Sequence, residues 1–310
     1  MKVTLAFNPV SGRGHANRTA EGLSHAIELA GHVTQLVASK PGPGDWVAPS
    51  LRNADALVVV GGDGTVRSIA PFAAKAKVPL LHVPMGTENL LARAFGMRRD
   101  GASVVNAIEQ GSRVAIDLAI ANNEPMVLMV SGGFDAAVVA DVSQHRGHAI
   151  SKWSYMRAVG RCLKAFRTPS VCITVDDQVA VDGVQGWAVV ANAPDYGARL
   201  DPAPHAKIDD GLLEVVFLPC RTRLGFVAWV VLARMGMHLK RRYAVSLAGR
   251  SVQIAYDHAT PIQIDGDMPS GQANMKTLCV SVSPDQLTII VPPTAKAIRA
   301  LHQSLAGVST

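Results

Sequence analysis

The chain has 310 residues and a mass of 32.7 kDa, which is enough for one large domain or two ordinary ones. Hydrophobic residues make up 48% of it and charged residues only 17%, a composition that excludes intrinsic disorder. The formal charge of +6 and the pI near 9.3 favour anionic partners, among them nucleic acid, nucleotide phosphates and anionic membrane surfaces.

The sequence lacks the signals of a membrane or secreted protein. No stretch reaches the roughly eighteen uninterrupted apolar residues of a spanning helix, and the N-terminus carries no signal-peptide pattern. The four cysteines show no C-x-x-C spacing, so neither a zinc site nor a disulfide framework is indicated. We therefore expect a cytoplasmic protein.

The first third of the chain alternates strand and helix patterns. Apolar runs typical of buried strands lie at 3–7, 33–39, 56–60 and 79–84, and segments with helical spacing separate them. Strands of this kind form a parallel sheet covered on both faces by helices. Ligands of such sheets bind at the carboxyl ends of the strands.

The pattern changes after about Asp117, because strand-like runs then follow one another with turn signals between them. This indicates a second, antiparallel domain, with helical insertions at roughly 152–166 and 224–239. A closing strand and a short helix follow, and we expect them to pack back on the first domain.

The predicted fold is therefore an N-terminal α/β domain with a parallel sheet and a C-terminal antiparallel, β-sandwich-like domain. The α/β domain is expected to take residues 1–122 and the returning segment at about 288–310, and the β-rich domain to take residues 123–287.

The third apolar run ends in Gly61-Gly62-Asp63-Gly64-Thr65. Glycines let backbone N–H groups approach a phosphate closely, and a following helix turns its positive N-terminus toward it. A carboxylate at Asp63 would repel phosphate, so its presence favours catalysis with a divalent cation. The alternative is a tight strand-to-helix turn capped by Asp63 or Thr65.

Two further loops follow strands in the same way. They are "NPVSGRG" at 8–14, with Ser11 and Arg13, and "PMGTENLLAR" at 84–93, with Thr87. Because the carboxyl ends of parallel strands share one edge of a sheet, we expect the three loops, each with plausible phosphate contacts, to converge on that edge. The pattern matches neither a P-loop nor the Gly-x-Gly-x-x-Gly fingerprint.

Together, "NPVSGRG", "VVVGGDGTV" and "VPMGTENLLARAFG" closely resemble the diacylglycerol kinase catalytic family, which also holds sphingosine kinases, ceramide kinases and soluble bacterial lipid kinases. The later blocks "VAIDLAIANNEPMVLMVSGGFDAAVV", "ANAPDYGARLDPAPHAKIDDGLLEVVFLP" and "PIQIDGD" match in the same order. The resemblance implies an ATP- and Mg²⁺-dependent lipid kinase, with ATP between an α/β domain and a β-sandwich domain that takes the lipid.

The resemblance also implies a set of nucleotide-binding residues in the α/β domain. They are Asn8, Pro9, Val10, Ser11, Gly12, Ser39, Gly61, Gly62, Asp63, Gly64, Thr65 and Thr87, and we add Arg67 to the predicted nucleotide site as a cation near the phosphates. Asp63 would also be catalytic, as part of an aspartate and magnesium network. Arg67 departs from the family, which usually has Asn at that position.

A metal site and a base are implied in the β-rich domain. The block "KIDDGL" matches a magnesium site formed by Asp210 with the backbone carbonyls of Lys207 and Leu212, although a β-turn explains the same residues. In "IQIDGDM" the family usually has Asp-Gly-Glu, whereas this chain has Asp265-Gly266-Asp267.

Asp267 would be the base that takes the proton of the lipid hydroxyl, with a reach one methylene shorter than the family's Glu. The alternatives are slow catalysis and an Asp-Gly hairpin turn without a catalytic role.

The segment "RTRLGFVAWVVLARMGMHLKRR" at 221–242 combines an apolar helix with basic flanks. This pattern is typical of helices that dock on a membrane surface, so the segment predicts peripheral membrane association. The apolar residues considered are Phe226, Val227, Trp229, Val230 and Met237. The alternative is that the helix is buried against a sheet.

Several readings stay open. The lipid acceptor is a diacylglycerol or a ceramide- or sphingoid-type lipid. NAD kinases share Gly-Gly-Asp-Gly but lack the "GTENLLAR" block, and a catalytically silent nucleotide- or lipid-binding regulator is suggested by Asp267 in place of Glu. No nucleic-acid-binding motif is present, so we expect no nucleic-acid partner. A homodimer stays open as an assembly.

Overall fold

The computed structural model describes residues 1–144, 152–165, 167–194, 200–271 and 274–293. The chain divides into two units, one formed by Met1–Ile116 with the chain from Asp285 onward, and one formed by Asp117–Pro284. Within the described ranges, no helix combines the length and the apolar character that a passage through a bilayer needs.

Fifteen strands and eight α-helices lie in the described ranges. The strands are β1 (Lys2–Phe7), β2 (Val33–Ala38), β3 (Ala56–Gly61), β4 (Leu80–Pro84), β5 (Ser112–Ile116), β6 (Ala119–Ala121), β7 (Glu124–Met126), β8 (Met129–Gly132), β9 (Ser170–Val175), β10 (Gln178–Ala191), β11 (Leu213–Pro219), β12 (Val245–Gly249), β13 (Ser251–Ile264), β14 (Asn274–Val282) and β15 (Leu287–Val291). The helices are α1 (Ala16–Leu29), α2 (Ala48–Leu51), α3 (Asp63–Ala76), α4 (Leu90–Ala94), α5 (Gly101–Gln110), α6 (Phe134–Gln144), α7 (Lys152–Ala165) and α8 (Arg223–Arg234).

The sheet of the first unit has the order β2-β1-β3-β4-β15-β5. Its pairs are parallel except β15 with β5. Every residue of the central strand β3 is buried, as its continuous apolar sequence predicts. The edge strand β2 differs, because Val33 in it is 65% exposed. The prediction that helices cover both faces of the sheet is therefore wrong for this strand.

Strand β15 confirms the predicted return of the chain, since it lies between β4 and β5 in the first unit. Its pairing with β5 makes the sheet mixed rather than purely parallel. The short helix predicted after this strand, from residue 294 on, lies outside the described residues.

The sheet of the second unit is antiparallel, as predicted, with the order β12-β11-β10-β8-β13-β14-β6-β7 and β9 paired to both β10 and β13. Strand β13 pairs with β9 and β14 along its first part and with β8 at its end, so this long strand belongs to two layers. That arrangement agrees with the predicted sandwich-like domain.

Alternate residues of β10 face two different cores. Ala188 and Val190 belong to a core between strands, whereas Trp187 and Val189 pack with Phe134 and other helical residues. The sequence prediction missed α6, whose apolar residues in "FDAAVVADV" are nearly continuous and form no helical stripe. Helices α7 and α8 lie where the two insertions were predicted.

The boundary between the units lies at Ile116 and Asp117 rather than at 122. Strand β6 pairs with β14, for example Ala121 with Val280, and therefore belongs to the second unit. The sequence "SRVAIDLAIA" hides this boundary, because its strand signal continues from β5 into β6 with only two residues between them.

Candidate active site

The loops after β1, β3 and β4 meet at the carboxyl edge of the first sheet. The side-chain Nδ2 of Asn8 donates to Thr65 Oγ1 at 3.4 Å, and its backbone N–H donates to Val60 O at 3.1 Å. From the third loop, the N–H of Met85 donates to Gly61 O at 2.8 Å. The predicted convergence of the three loops is therefore confirmed.

Several glycines are required because the loops approach one another closely. A Cβ on Gly86 would lie 2.8 Å from Gly62 Cα, and a Cβ on Gly61 would lie 2.6 Å from Thr65 Oγ1. Gly12 has a φ of +60°, and a Cβ there would lie 2.4 Å from Met85 Cε. The glycines thus allow packing between loops in addition to the predicted approach of a ligand.

The remaining residues of the predicted nucleotide site lie on the first unit as well. Ser39 follows β2, and its N–H donates to Phe7 O at 2.8 Å. The others are Pro9 and Val10, which are exposed, Ser11, Gly64 and Arg67, which are half-buried, and Thr87, which is exposed before α4. Their contacts with a nucleotide stay a prediction.

Asp63 connects two of the loops. Its carboxylate accepts the backbone N–H groups of Leu90, at 3.0 Å, and Leu91, at 3.3 Å. Asp63 is the first residue of α3, but its carboxylate caps the first turn of another helix, α4. The alternative that Asp63 caps its own strand-to-helix turn is therefore wrong. The predicted catalytic and magnesium-network role of Asp63 stays a prediction.

We expect Asp63→Ala to loosen the third loop, because two backbone N–H groups lose their acceptor. Each unsatisfied donor costs about 1–3 kcal/mol. Hydrogen exchange followed by mass spectrometry should show faster exchange at Leu90 and Leu91. Asp45→Ala, which removes an exposed carboxylate of the same unit, is the control. Unchanged exchange in Asp63→Ala would show that the cap does not hold the loop.

His82 lies buried directly behind the Gly61 loop and was missed by the sequence analysis. Its Nε2 lies 2.9 Å from Gly61 O, and since a carbonyl can only accept, Nε2 carries the proton. Burial lowers the pKa of His82 to about 4, against the weaker opposing effect of this hydrogen bond. The imidazole is therefore neutral at pH 7. The one signal in the sequence is a polar residue within the apolar run "PLLHVP".

This histidine predicts a loss of stability in mild acid. The unfolded chain binds a proton at His82 below its ordinary pKa of about 6.5, whereas the folded chain binds it only near pH 4. The free energy of unfolding should fall across that window, by up to about 3 kcal/mol from this group. Urea unfolding of His82→Gln should show a flatter pH dependence than that of the unsubstituted protein. An equal slope would contradict the assignment.

In the second unit, the carboxylate of Asp265 accepts three backbone N–H groups. Its Oδ2 accepts from Val127, and its Oδ1 accepts from Leu128 and Met129, each at 2.8 Å. Asp265 is buried and has a φ of +50°. This carboxylate therefore joins the end of β13 to the chain before β8, a role that the sequence analysis did not assign to it.

The proposed base Asp267 lies on the turn that Asp265 starts. The N–H of Ile264 donates to Asp267 O at 2.9 Å, and the N–H of Asp267 donates to Ile264 O at 3.0 Å. The predicted Asp-Gly hairpin turn is thus present, and the Asp267 side chain is half-buried on it. The role of Asp267 as the base stays a prediction.

A chain of buried polar side chains supports this turn. The N–H of Gly266 donates to Gln263 Oε1 at 2.7 Å, and Gln263 Nε2 donates to Ser131 Oγ at 2.7 Å. Ser131 in turn donates to Asp135, which also accepts from Trp187 Nε1 at 3.0 Å. Buried polar networks of this kind hold one conformation when every member has a partner.

The block predicted to hold magnesium forms a turn. Asp210 Oδ1 accepts the N–H of Leu212 at 3.0 Å, which is an Asx-turn, so the β-turn alternative is also correct as local structure. Asp117 Oδ2 accepts the N–H of Gly211 at 2.6 Å. Asp117 is buried and was not predicted as a site residue, because its one signal in the sequence is a carboxylate within the apolar run "VAIDLAIA".

Three carboxylates, those of Asp117, Asp209 and Asp210, lie around this turn. Partial desolvation raises the pKa of Asp209, and the charges of Asp210 and Asp117 raise it further. Within the described ranges, however, no group of three or more His, Cys, Asp or Glu side chains is arranged to hold a metal ion. The magnesium site implied for Asp210 with the backbone carbonyls of Lys207 and Leu212 therefore stays a prediction.

The structure corrects the set of residues expected to dock on a membrane. Phe226 of α8 is buried, with its ring centroid 4.5 Å from that of Phe134 and 5.4 Å from that of Trp187. The indole N–H of Trp229 donates to Pro219 O at 2.7 Å. Phe226 and Trp229 therefore anchor the helix to the unit, as the buried alternative predicts for that face.

Two family models match the chain. Residues 2–121 match the diacylglycerol kinase catalytic domain, and residues 128–291 match the YegS C-terminal NAD kinase beta sandwich-like domain. The second match alone covers more than half of the chain, and the two follow one another as the two units do.

Curated relatives match over most of their length. The diacylglycerol kinase of Staphylococcus carnosus is 25% identical over 288 residues, which are 89% of this chain and 92% of that protein. The diacylglycerol kinase of Bacillus subtilis is 23% identical over 272 residues, which are 86% of this chain and 89% of that protein.

Solved structures share the fold. A putative diacylglycerol kinase from Bacillus anthracis has a TM-score of 0.68 and 21% identity, and a second structure of such a protein from that organism has a TM-score of 0.70 and 19% identity. Both alignments cover 94% of this chain and 97% of the other. With both family models matched in order along the sequence, the chain belongs to the diacylglycerol kinase catalytic-domain family.

Proposed function

We propose that the protein is an ATP- and Mg²⁺-dependent lipid kinase that transfers the γ-phosphate to the hydroxyl of a diacylglycerol or of a ceramide- or sphingoid-type lipid. The observation that carries the proposal is the convergence of three glycine-containing loops in the first unit of a chain that belongs to this family. The names of the curated relatives favour diacylglycerol among the acceptors.

The first unit is proposed to bind the triphosphate. The N–H groups of the Gly61–Thr65 loop, the loop from Asn8 to Gly12 and the side chain of Thr87 would donate hydrogen bonds to the phosphate oxygens. Arg67 would add a positive charge, and the neutral His82 adds none. Bound Mg²⁺ would neutralise charge on the transferring phosphoryl group.

The second unit is proposed to supply the base. Asp267 would take the proton of the lipid hydroxyl while that oxygen forms a bond to the γ-phosphorus. The bond between the γ-phosphorus and the bridging oxygen of ATP breaks, and ADP leaves with the electron pair. The hydrogen bonds of Asp265 and Gln263 to their neighbours hold the turn that carries Asp267.

The test is transfer of labelled γ-phosphate from ATP, with Mg²⁺, to detergent-dispersed diacylglycerol, ceramide and sphingosine, with NAD as a further acceptor. We expect one lipid to be labelled and the label to disappear when the metal is chelated. Labelling of NAD alone would replace the proposal by an NAD kinase activity. ATP binding with no labelled acceptor would favour the silent regulator.

A further inference from the structure

Helix α8 exposes a stripe of apolar side chains. Leu224 is 82% exposed, Val227 41%, Val231 51% and Met235, just after the helix, 61%. Their spacing of three and four residues places them on one face. We call these four residues the α8 stripe.

The stripe is not the face by which α8 packs on its unit, because the opposite face of the helix makes those contacts. Phe226 and Ala233 are buried there, and the indole of Trp229 is hydrogen-bonded to Pro219 O. A surface helix of a globular protein normally turns polar residues outward from such an anchored face. Here the outward face is apolar, and exposed contiguous apolar surface indicates an interaction site.

The segment that contains the stripe carries only positive charges. Between residues 219 and 250 the sequence has seven basic residues and no acidic one. The basic residues are Arg221, Arg223, Arg234, Lys240, Arg241, Arg242 and Arg250. Tyr243 is also exposed, with the guanidinium of Arg242 5.7 Å from the centre of its ring. Apolar side chains, basic residues and an exposed tyrosine are what an anionic membrane interface selects.

A surface pocket of about 530 Å³ opens at the N-terminal end of the stripe. It is lined by Arg167, Gln185, Arg221, Thr222, Arg223 and Leu224, so Leu224 belongs to both the stripe and the pocket. We call it the arginine pocket. Asp257 interacts electrostatically with Arg167, whereas within the described ranges neither Arg221 nor Arg223 forms an ion pair.

We infer that the α8 stripe and the arginine pocket form a docking surface for a bilayer that contains anionic phospholipid. The stripe inserts among the acyl chains at the interface, and the arginine pocket takes the phosphate of an anionic head group. The surface deepens the proposed function, because a lipid acceptor lies in a bilayer. Binding to vesicles is measured without ATP, so the docking surface and the kinase activity can fail separately.

The experiment is co-flotation of the full chain with vesicles of phosphatidylcholine alone or of phosphatidylcholine mixed with phosphatidylglycerol. We expect binding to the mixed vesicles, weak binding to pure phosphatidylcholine, and release by salt. Leu224→Ser/Val231→Ser should weaken binding about tenfold or more, because two inserted side chains lose their apolar contact. Since both side chains are exposed, the variant should fold like the unsubstituted protein.

A second variant pair tests the pocket. Arg221→Gln/Arg223→Gln should weaken binding to the mixed vesicles about thirtyfold, because each basic residue near an anionic surface contributes about a fivefold effect. Arg221→Lys/Arg223→Lys keeps the charges and should retain most of the binding. Val179→Ser, at an exposed valine of β10, and Arg52→Gln, at an exposed arginine just after α2, are the matched controls.

Absence of vesicle binding by the unsubstituted protein would overturn the inference, as would equal binding by the stripe variant and the Val179→Ser control. Light scattering of the protein without vesicles measures its oligomeric state and so tests whether a second copy of the chain covers the stripe. A dimer that becomes a monomer in Leu224→Ser/Val231→Ser would show that a second copy, not a membrane, covers the stripe. If the protein binds vesicles but labels no lipid in the transfer assay, the docking surface is supported and only the proposed kinase activity is contradicted.

Discussion

Replacing Asp267 by Asn is expected to lower the rate of phosphoryl transfer to the lipid by about 10²–10⁴-fold, the contribution that a positioned general base makes to catalysis. The amide keeps the shape of the carboxylate and cannot take the proton. The backbone hydrogen bonds between Asp267 and Ile264 do not involve the side chain, so the turn should persist. Initial rates at saturating ATP and lipid measure the effect on kcat.

Two comparisons separate a base from a structural residue at this position. The loss in Asp267→Asn should fall on kcat and leave the KM for ATP unchanged, whereas a structural role would change both constants. Asp267→Glu restores the reach that the family usually has and should keep substantial activity. Near-normal kcat in Asp267→Asn, with the urea midpoint unchanged, would remove Asp267 from the mechanism.

Replacing Asp265 by Asn is expected to lower the free energy of unfolding by about 2–4 kcal/mol, since hydrogen bonds to a charged group and buried unsatisfied donors each carry about 1–3 kcal/mol. Asn keeps one acceptor oxygen for Leu128 and Met129, but its NH₂ group faces the N–H of Val127. Asn also tolerates the left-handed backbone of this position, so strain is not added.

Asp177→Asn is the matched control for this measurement. Asp177 lies in the same unit, has a φ of +64° and is exposed, so the same atoms change without loss of a buried acceptor. Urea unfolding of both variants should show a large loss for Asp265→Asn and almost none for Asp177→Asn. Equal losses would mean that the three N–H groups find other partners or water when the carboxylate is removed.

The strands and the phosphate loops could be predicted from the sequence because their signals are local. A continuous apolar run such as the one ending at Gly61 identifies a buried strand wherever it lies in the fold, and the parallel arrangement then brings the following loops to one edge. Asn8 is bonded to Thr65, and Met85 is bonded to Gly61, for this reason.

The partners of buried polar groups could not be predicted, because they depend on contacts between distant segments. Asp63 accepts from residues 27 and 28 positions away, and Asp265 from residues 136 to 138 positions away. Burial of His82 likewise follows from its place in an inner strand rather than from its neighbours in sequence.

The sequence by itself determined the two-part fold, the family and the three loops, because period, turn residues and motif blocks are properties of short segments. Only the tertiary structure decided which face of α8 is anchored by Phe226 and which exposes the α8 stripe. Both faces of that helix are apolar in the sequence, and only packing against Phe134 and Trp187 distinguishes them. The same holds for Asp265, whose carboxylate is bound to backbone N–H groups while the neighbouring Asp267 keeps its side chain at the surface of the turn.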